Sequence, residues 1–327
     1  MMKRLLILAA VCGLAACAQP QDEDNLPENV MITGTNPIIS NQFTADPTAR
    51  VFNGRLYLYP SHDLPSVITH IDGSAWFSME DYHVFSTDDL RTWTDHGVIL
   101  RQEDVPWGKK DAYSMWAPDC VEKDGQYYFY FPDARAEGGG FAVGVAVSDK
   151  PEGPYSKPVC LEVDDIDPSH FVDDDGKRYM IIAKAAKTVP LSEDSLSVAG
   201  DIKVAWDGTG ERCSEGPHML KKDGYYYAMV AEGGTGYGHG INMARSKELY
   251  GEYENSPYNP VMRQLDPTAP IQRAGHGKLV QDQNGQWWCY YLCGRPNQGN
   301  YTTIGRESAL DPVQWTEDGW FTINNGK

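Results

Sequence analysis

The sequence predicts an all-β protein, a five-bladed β-propeller, and three observations carry that expectation. A hairpin pattern recurs five times along the 327 residues. In four of the copies an acidic or imidazole side chain stands eight or nine positions ahead of the turn glycine. No long stretch keeps a helical period.

The five copies are "ADPTARVFNGRLYLYP" from Ala45, "WAPDCVEKDGQYYFYFP" from Trp116, "DPSHFVDDDGKRYMIIA" from Asp167, "EGPHMLKKDGYYYAMVA" from Glu215 and "GHGKLVQDQNGQWWCYYL" from Gly275. Each reads as strand, Asn/Asp-Gly type turn, strand, because a type I′ turn needs two residues at positive φ and that dipeptide supplies them. The turn glycines Gly54, Gly125, Gly176, Gly224 and Gly285 are spaced by 71, 51, 48 and 61 residues. A period of roughly 50 residues suits a four-stranded blade. The remainder of each interval supplies outer strands, as in "HVFSTDDLRTWTDHGVIL", "FAVGVAVSDKPEGPYSKPV" and "INMARSKELYGEYENSPY". A sandwich of hairpins is the competing architecture, but it has no need of a polar residue at one depth in successive units.

Ahead of the repeats, "MMKRLLILAAVCGLAACAQP" has Lys3 and Arg4, an apolar run and small residues before Cys17, the pattern of an export signal. The run is shorter than the ~20 residues a membrane span needs. "LAAC" resembles a bacterial lipobox, which implies that residues 1–17 are a lipoprotein signal with Cys17 as the lipid anchor; cleavage near Ala18 is the alternative. Residues 18–35, polar and acidic at first, read as a flexible tether, and 36–327 as the propeller. The expected location is outside the cytoplasm, on the outer membrane or cell surface, with the periplasm as the alternative.

A net charge of -18 excludes a polyanionic partner such as nucleic acid. A neutral saccharide fits better, since 19 Tyr and 9 Trp offer flat apolar faces for sugars. Cys120, Cys160, Cys213, Cys289 and Cys293 contain no CxxC pair, so neither zinc site nor disulfide framework is readable. "EGGTGYGHG", from Glu232, lacks the strand-to-helix context of a dinucleotide loop and reads as a loop near a pocket mouth.

In a propeller the first strand of each blade lines the axis, so equivalent side chains converge. Counting back from the turn glycines places Asp46 at eight and Asp167, Glu215 and His276 at nine. Asp119, at six, falls at another depth, which assigns it a structural role in the second blade and leaves Trp116, at nine, as that blade's contribution. Pro47 and Pro168 bias Asp46 and Asp167 toward extended backbone, and Gly216 opens a close approach beside Glu215. Two carboxyl groups across a glycosidic bond hydrolyse it, one giving a proton to the leaving oxygen and the other activating water. A third raises the pKa of the acid.

These segments resemble glycoside hydrolase family 43, over nearly the whole chain after the leader. The resemblance implies that Asp46, in "NPIISNQFTADPTARV", is the general base. It places on Asp167, in "DIDPSHFVDDDGKRY", the tuning and orienting of the acid, and on Glu215, in "EGPHMLKKDGYYY", the general acid of an inverting reaction. It implies that His276, in "RAGHGKLVQDQNGQWW", lies at the pocket bottom beside a possible structural calcium, with no cofactor required for the chemistry. Arg306, in "TIGRESAL", is implied as a pocket arginine, and Trp116, in "MWAPD", is a sugar platform. The substrates implied are arabinose- and xylose-containing polysaccharides. Many β-xylosidases of the family carry a C-terminal β-sandwich, whereas this sequence ends after "WTEDGWFTI", so α-L-arabinofuranosidase activity is at least as well supported. A glycan-binding propeller without catalysis and an endo-acting arabinanase or xylanase are the alternatives. The three carboxylates at matched depth argue against the first.

Overall fold

The computed structural model describes residues 28–65, 77–296 and 305–326, so the expected signal and Cys17 lie outside the described residues. Five antiparallel sheets follow one another along the chain. Blade one holds β1 (Val30–Ile32), β2 (Thr44–Phe52), β3 (Arg55–His62), β4 (Asp81–Thr87) and β5 (Thr92–Arg101). Blade two holds β6 (Asp119–Lys123), β7 (Gln126–Ala134), β8 (Phe141–Ser148) and β9 (Ser156–Val163). Blade three holds β10 (Ser169–Val172), β11 (Arg178–Ile182), β12 (Ala186–Pro190) and β13 (Lys203–Trp206). Blade four holds β14 (Glu215–Lys222), β15 (Tyr225–Glu232), β16 (Gly240–Ser246), β17 (Glu254–Asn255) and β18 (Met262–Arg263). Blade five holds β19 (Gln272–Gln281), β20 (Trp287–Gly294), β21 (Glu307–Trp315) and β22 (Phe321–Ile323). The first strands β2, β6, β10, β14 and β19 touch in sequence, and β19 returns to β2, which closes the ring.

The hydrophobic cores explain why the sheets stack in a circle. Successive strand residues point to opposite faces, and both faces of a blade are covered by neighbours, so inner strands read as continuous apolar runs rather than alternating ones. On β7, Tyr127, Phe129 and Phe131 pack toward blade one with Phe52, Tyr59 and Tyr82. Tyr128 and Tyr130 pack toward blade three with Met180 and Ile182. Further cores join blades three and four through Ile181, Trp206 and Ala228, and blades four and five through Met229, Ile241 and Cys289. The last core, with Leu56, Phe85, Trp93 and Tyr290, joins blade five to blade one and takes in Ile38 and Ile39.

Among the described residues no sheet is shared across that last junction. The segment before β2 lies against β21 instead: Ile38 N donates to Ser308 O at 2.9 Å, Asn36 Nδ2 donates to Leu310 O at 3.0 Å, and Leu310 N donates to Asn36 Oδ1 at 2.9 Å.

Two readings of the sequence need correction here. Val30–Ile32, inside the expected tether, is a strand paired on β5, where the apolar triplet covers an open sheet edge. The hairpin turns are also not uniform. Asn53-Gly54, Asp124-Gly125 and Asp223-Gly224 have two successive left-handed residues, as type I′ requires. At Gly176 and Gly285 only the glycine is left-handed, and the longer turns are closed by Asp173 N to Lys177 O at 2.9 Å and Asp282 N to Gln286 O at 2.8 Å.

Of the five cysteines among the described residues, Cys120, Cys289 and Cys293 are buried free thiols, Cys160 is partly buried and Cys213 is exposed.

Candidate active site

The site residues stand at irregularities of the inner strands. Pairing slips between Ala45 and Thr48, between Glu215 and His218, and between Gly275 and Lys278, which are β-bulges that re-aim a side chain. The residues within or beside them take left-handed backbone: Asp46 at φ 46°, Gly216 at φ 52° and His276 at φ 48°, with Asp167 at φ 57° just ahead of β10. The extended geometry expected of Asp46 and Asp167 from the following prolines is therefore not what the chain adopts. Asp tolerates the left-handed region better than most residues, and the bulge turns its carboxylate toward the axis.

The expected residues come together. Asp46, Asp167, Glu215, Trp116, His276 and Arg306 line one pocket, with Phe77, Met79, Ile166 and Thr235. Thr235 belongs to the glycine-rich segment, which thus borders the pocket as its composition suggested. Trp116 packs its ring against Phe141 with centroids 4.5 Å apart.

Asp46 is buried and well supplied with partners. Arg306 Nη1 donates to its Oδ1 at 3.0 Å, Ser61 Oγ donates to its Oδ2 at 2.9 Å, and His276 Nδ1 stands 3.2 Å from Oδ1. Burial alone would raise its pKa, but Arg306, His276 and the Ser61 hydroxyl outweigh burial and hold it below the usual value. Burial depresses His276 itself to about 3. The imidazole is then neutral at neutral pH, which leaves Arg306 as the charge that keeps Asp46 ionised.

Arg306 is in turn held by Asp63. Its Nε and backbone N reach Asp63 Oδ2 at 2.9 and 2.8 Å, and its Nη2 reaches Oδ1 at 2.8 Å. The guanidinium also lies 3.8 Å from the Phe77 ring centroid.

The other two carboxyl groups are pushed the opposite way. Burial, then the charge of Asp46, raises Asp167 to about 7, against a single backbone donor, Gly216 N, at 2.9 Å. Burial, then Asp167 and Asp46, raises Glu215 to about 8. Its nearest imidazole is His239, whose Nδ1 lies 3.7 Å from Glu215 Oε1 but only 2.8 Å from Gly234 O. Burial lowers His239 to about 4, so it too is neutral. Gly216 is required by packing: a Cβ there would fall 2.5 Å from the His276 ring.

Asp119 lies apart from this group. It accepts from Arg50 Nε at 3.1 Å and Nη2 at 2.6 Å, and from the backbone N of His170 and Cys120 at 2.6 and 2.7 Å. Despite its burial, Arg50 and Lys278 bring it down to about 2. Its role is structural as expected, but it joins blades one, two and three rather than serving the second alone. Lys278 is buried nearby and donates to Pro118 O at 3.2 Å and Pro168 O at 3.3 Å.

For the calcium expected beside His276, the described side chains do not form a cage. Calcium takes six to eight oxygen ligands, whereas the carboxylate here is Asp46, already committed to Arg306 and Ser61, and Arg306 and Lys278 are nearby cations. His276 Nε2 is buried without a protein partner, so an ion there would carry its shell as water.

Sequence reasoning missed Asp63, Ser61, His239 and Lys278. Lys278 carried a usable signal, a lysine two residues after His276 on the same face of an inner strand. The others lie at strand ends or in loops without a repeat.

Residues 34–321 match the model of the family described as Glycosyl hydrolases family 43. The chain belongs to glycosyl hydrolase family 43. A Humicola insolens protein named xylosidase/arabinosidase 43A is 36% identical over 310 residues, spanning 78% of this chain and 89% of its own. A Bacteroides ovatus protein named as a non-reducing end alpha-L-arabinofuranosidase is 38% identical over 246 residues, spanning 72% of this chain and 46% of its own. Among solved structures, the family 43 protein BlXynB of Bacillus licheniformis superposes with a TM-score of 0.77 at 44% identity, covering 90% of this chain and 57% of that one. The chain therefore spans about half the length of several relatives it matches. Carbohydrate is the substrate class that family membership implies.

Proposed function

We propose that this chain hydrolyses α-L-arabinofuranosyl or β-xylosyl linkages in plant polysaccharides or their oligosaccharides by an inverting single displacement. The observation that carries the proposal is the opposed protonation of carboxyl groups lining one pocket, with Asp46 held below its usual pKa and Glu215 raised to about 8. In this reading Glu215 arrives protonated and gives its proton to the glycosidic oxygen as the bond to the anomeric carbon breaks. Asp46 takes a proton from the water that attacks the opposite face. Asp167 tunes and orients the acid, Arg306 and His276 position the sugar and Asp46, and Trp116 is the stacking platform. The names borne by the relatives support the choice of sugars.

The test is release of arabinose against xylose from 4-nitrophenyl α-L-arabinofuranoside and 4-nitrophenyl β-D-xyloside, with proton NMR of the first-formed anomer. Inverted product from either sugar is expected. Retained configuration overturns the mechanism, and saccharide binding without turnover favours a capture module. We further propose that Cys17 is lipidated and anchors the protein outside the cytoplasm. Partition of the full chain, but not of Cys17→Ser, into the detergent phase is the expected result.

A further inference from the structure

We propose that His62, Asp81 and His83 form a binding site for a divalent transition-metal ion on blade one, outside the pocket. Pairing of Ser61 with Tyr82 puts His62, the last residue of β3, opposite Asp81, the first of β4. His83, two residues on, returns to the face of Asp81. One ligand atom from each of the three lies within 4.8 Å of the other two, and among the described residues no other such group of three occurs.

The surroundings are built as a ligand shell is. His83 Nδ1 donates to Asp95 Oδ1 at 2.9 Å, and Asp95 is itself fixed by Asn41 Nδ2 at 2.9 Å and Gly97 N at 2.8 Å. An imidazole whose Nδ1–H is spent on a carboxylate presents Nε2 as a lone-pair donor, the usual outer-shell support of a metal-binding histidine. His62 Nδ1 lies 2.7 Å from Asp81 Oδ1, a hydrogen bond that a metal ion would replace, with the ring proton carried on Nε2. The two rings meet edge to face with centroids 5.3 Å apart. The side chains of His62 and His83 are 18% and 14% exposed, so solvent reaches the cluster. Arg101, 3.5 Å from Asp81 Oδ2, is a half-exposed competitor that can swing away.

Two imidazoles and one carboxylate suit Zn²⁺, Ni²⁺ or Co²⁺ and are poor ligands for Ca²⁺ or Mg²⁺, which take oxygen. Asp63, which clamps Arg306, is the next residue after His62, so the ion would sit beside the rim of the pocket.

The test is calorimetric titration of the metal-stripped full chain with ZnCl₂ and NiCl₂, with the histidine ring resonances followed by NMR. Uptake of one ion per chain is expected, insensitive to excess calcium. Asp95→Asn, which leaves all three ligands in place, should weaken binding by about 10–100-fold. His62→Gln/His83→Gln should abolish it while glycosidase activity shows that the fold is kept. Absence of stoichiometric uptake by the wild-type chain, uptake undiminished in the double variant, or uptake that perturbs resonances other than those of His62 and His83, overturns the proposal. The first and third outcomes need no variant to fold.

Discussion

Two sets of carboxylates on the inner strands of this propeller have been treated in opposite ways. Asp119 is saturated: one guanidinium grips both its oxygens, two backbone N–H groups complete it, and its pKa falls to about 2. Asp167 and Glu215 are starved: one receives a single N–H, the other a distant imidazole, and both are pushed up, to about 7 and about 8. Asp119 and Asp167 are both buried and Glu215 is partly so, so burial does not mark a catalytic carboxyl. What separates them is how much of the lost hydration the protein has replaced. A group meant to hold the fold is given every partner it can accept, and a group meant to hold a proton is denied them.

The largest expected effect breaks the comparison at the working group. Asp46→Asn should lower kcat by about 10²–10⁴-fold on every substrate, since each needs water activated, with the melting temperature little changed. Asp119→Asn should do the reverse. It leaves the partly buried Arg50 charge without a full partner, which costs up to about 3 kcal/mol and lowers the melting temperature by roughly 5 °C, while kcat per folded molecule stays near wild type. A kcat loss for Asp119→Asn equal to that of Asp46→Asn, in a folded protein, would remove the distinction.

Glu215→Gln sharpens the comparison through the leaving group. A substrate with a poor leaving group should slow by about 10²–10⁴-fold, and an activated aryl glycoside far less, because a good leaving group departs without a proton. Equal slowing of both, with azide restoring turnover to a retained product, would make Glu215 a nucleophile.

The pH dependence of stability gives the smallest effect. A carboxyl raised in the folded state binds its proton more tightly there than in the unfolded chain. Its contribution is present below the unfolded value and lost as pH rises through the folded one, here between pH ~4.5 and ~8 for Glu215. Glu215→Gln should therefore gain on wild type across that window, by on the order of 1–3 kcal/mol at pH 8, measured as a melting-temperature difference that vanishes near pH 4. Activity should fall on the alkaline side near pH 8 as Glu215 ionises. An alkaline limb unmoved in Asp167→Asn, which removes a charge beside Glu215, would argue against the coupling.

Much of the fold was legible because a closed repeat writes itself several times. The five turn glycines mark five successive blades, and counting back from them finds the pocket. The counting worked because distance from the turn fixes height along an inner strand. It could not reveal how the chain delivers each side chain, since propensity argues for extended Asp before Pro while the bulges impose left-handed backbone at Asp46. Nor could it find Asp63, at no repeated depth, whose role depends on Arg306 from blade five. Val30–Ile32 was hidden for a similar reason. Three apolar residues become a strand only because β5 leaves an edge for them.

The junction between blades five and one has a further consequence. At the other four junctions the backbone runs from one blade into the next, whereas here the ring is joined by contacts alone: the bonds of Asn36 and Ile38 to β21, the core around Tyr290, and Arg306 reaching from blade five to Asp63 and Asp46. Mechanically the molecule is a bracelet whose clasp includes the arginine that pairs with Asp46. Whatever springs the clasp also strips Asp46 of the charge that keeps it ionised. Activity should then vanish at the first opening of the ring, before any blade has come apart.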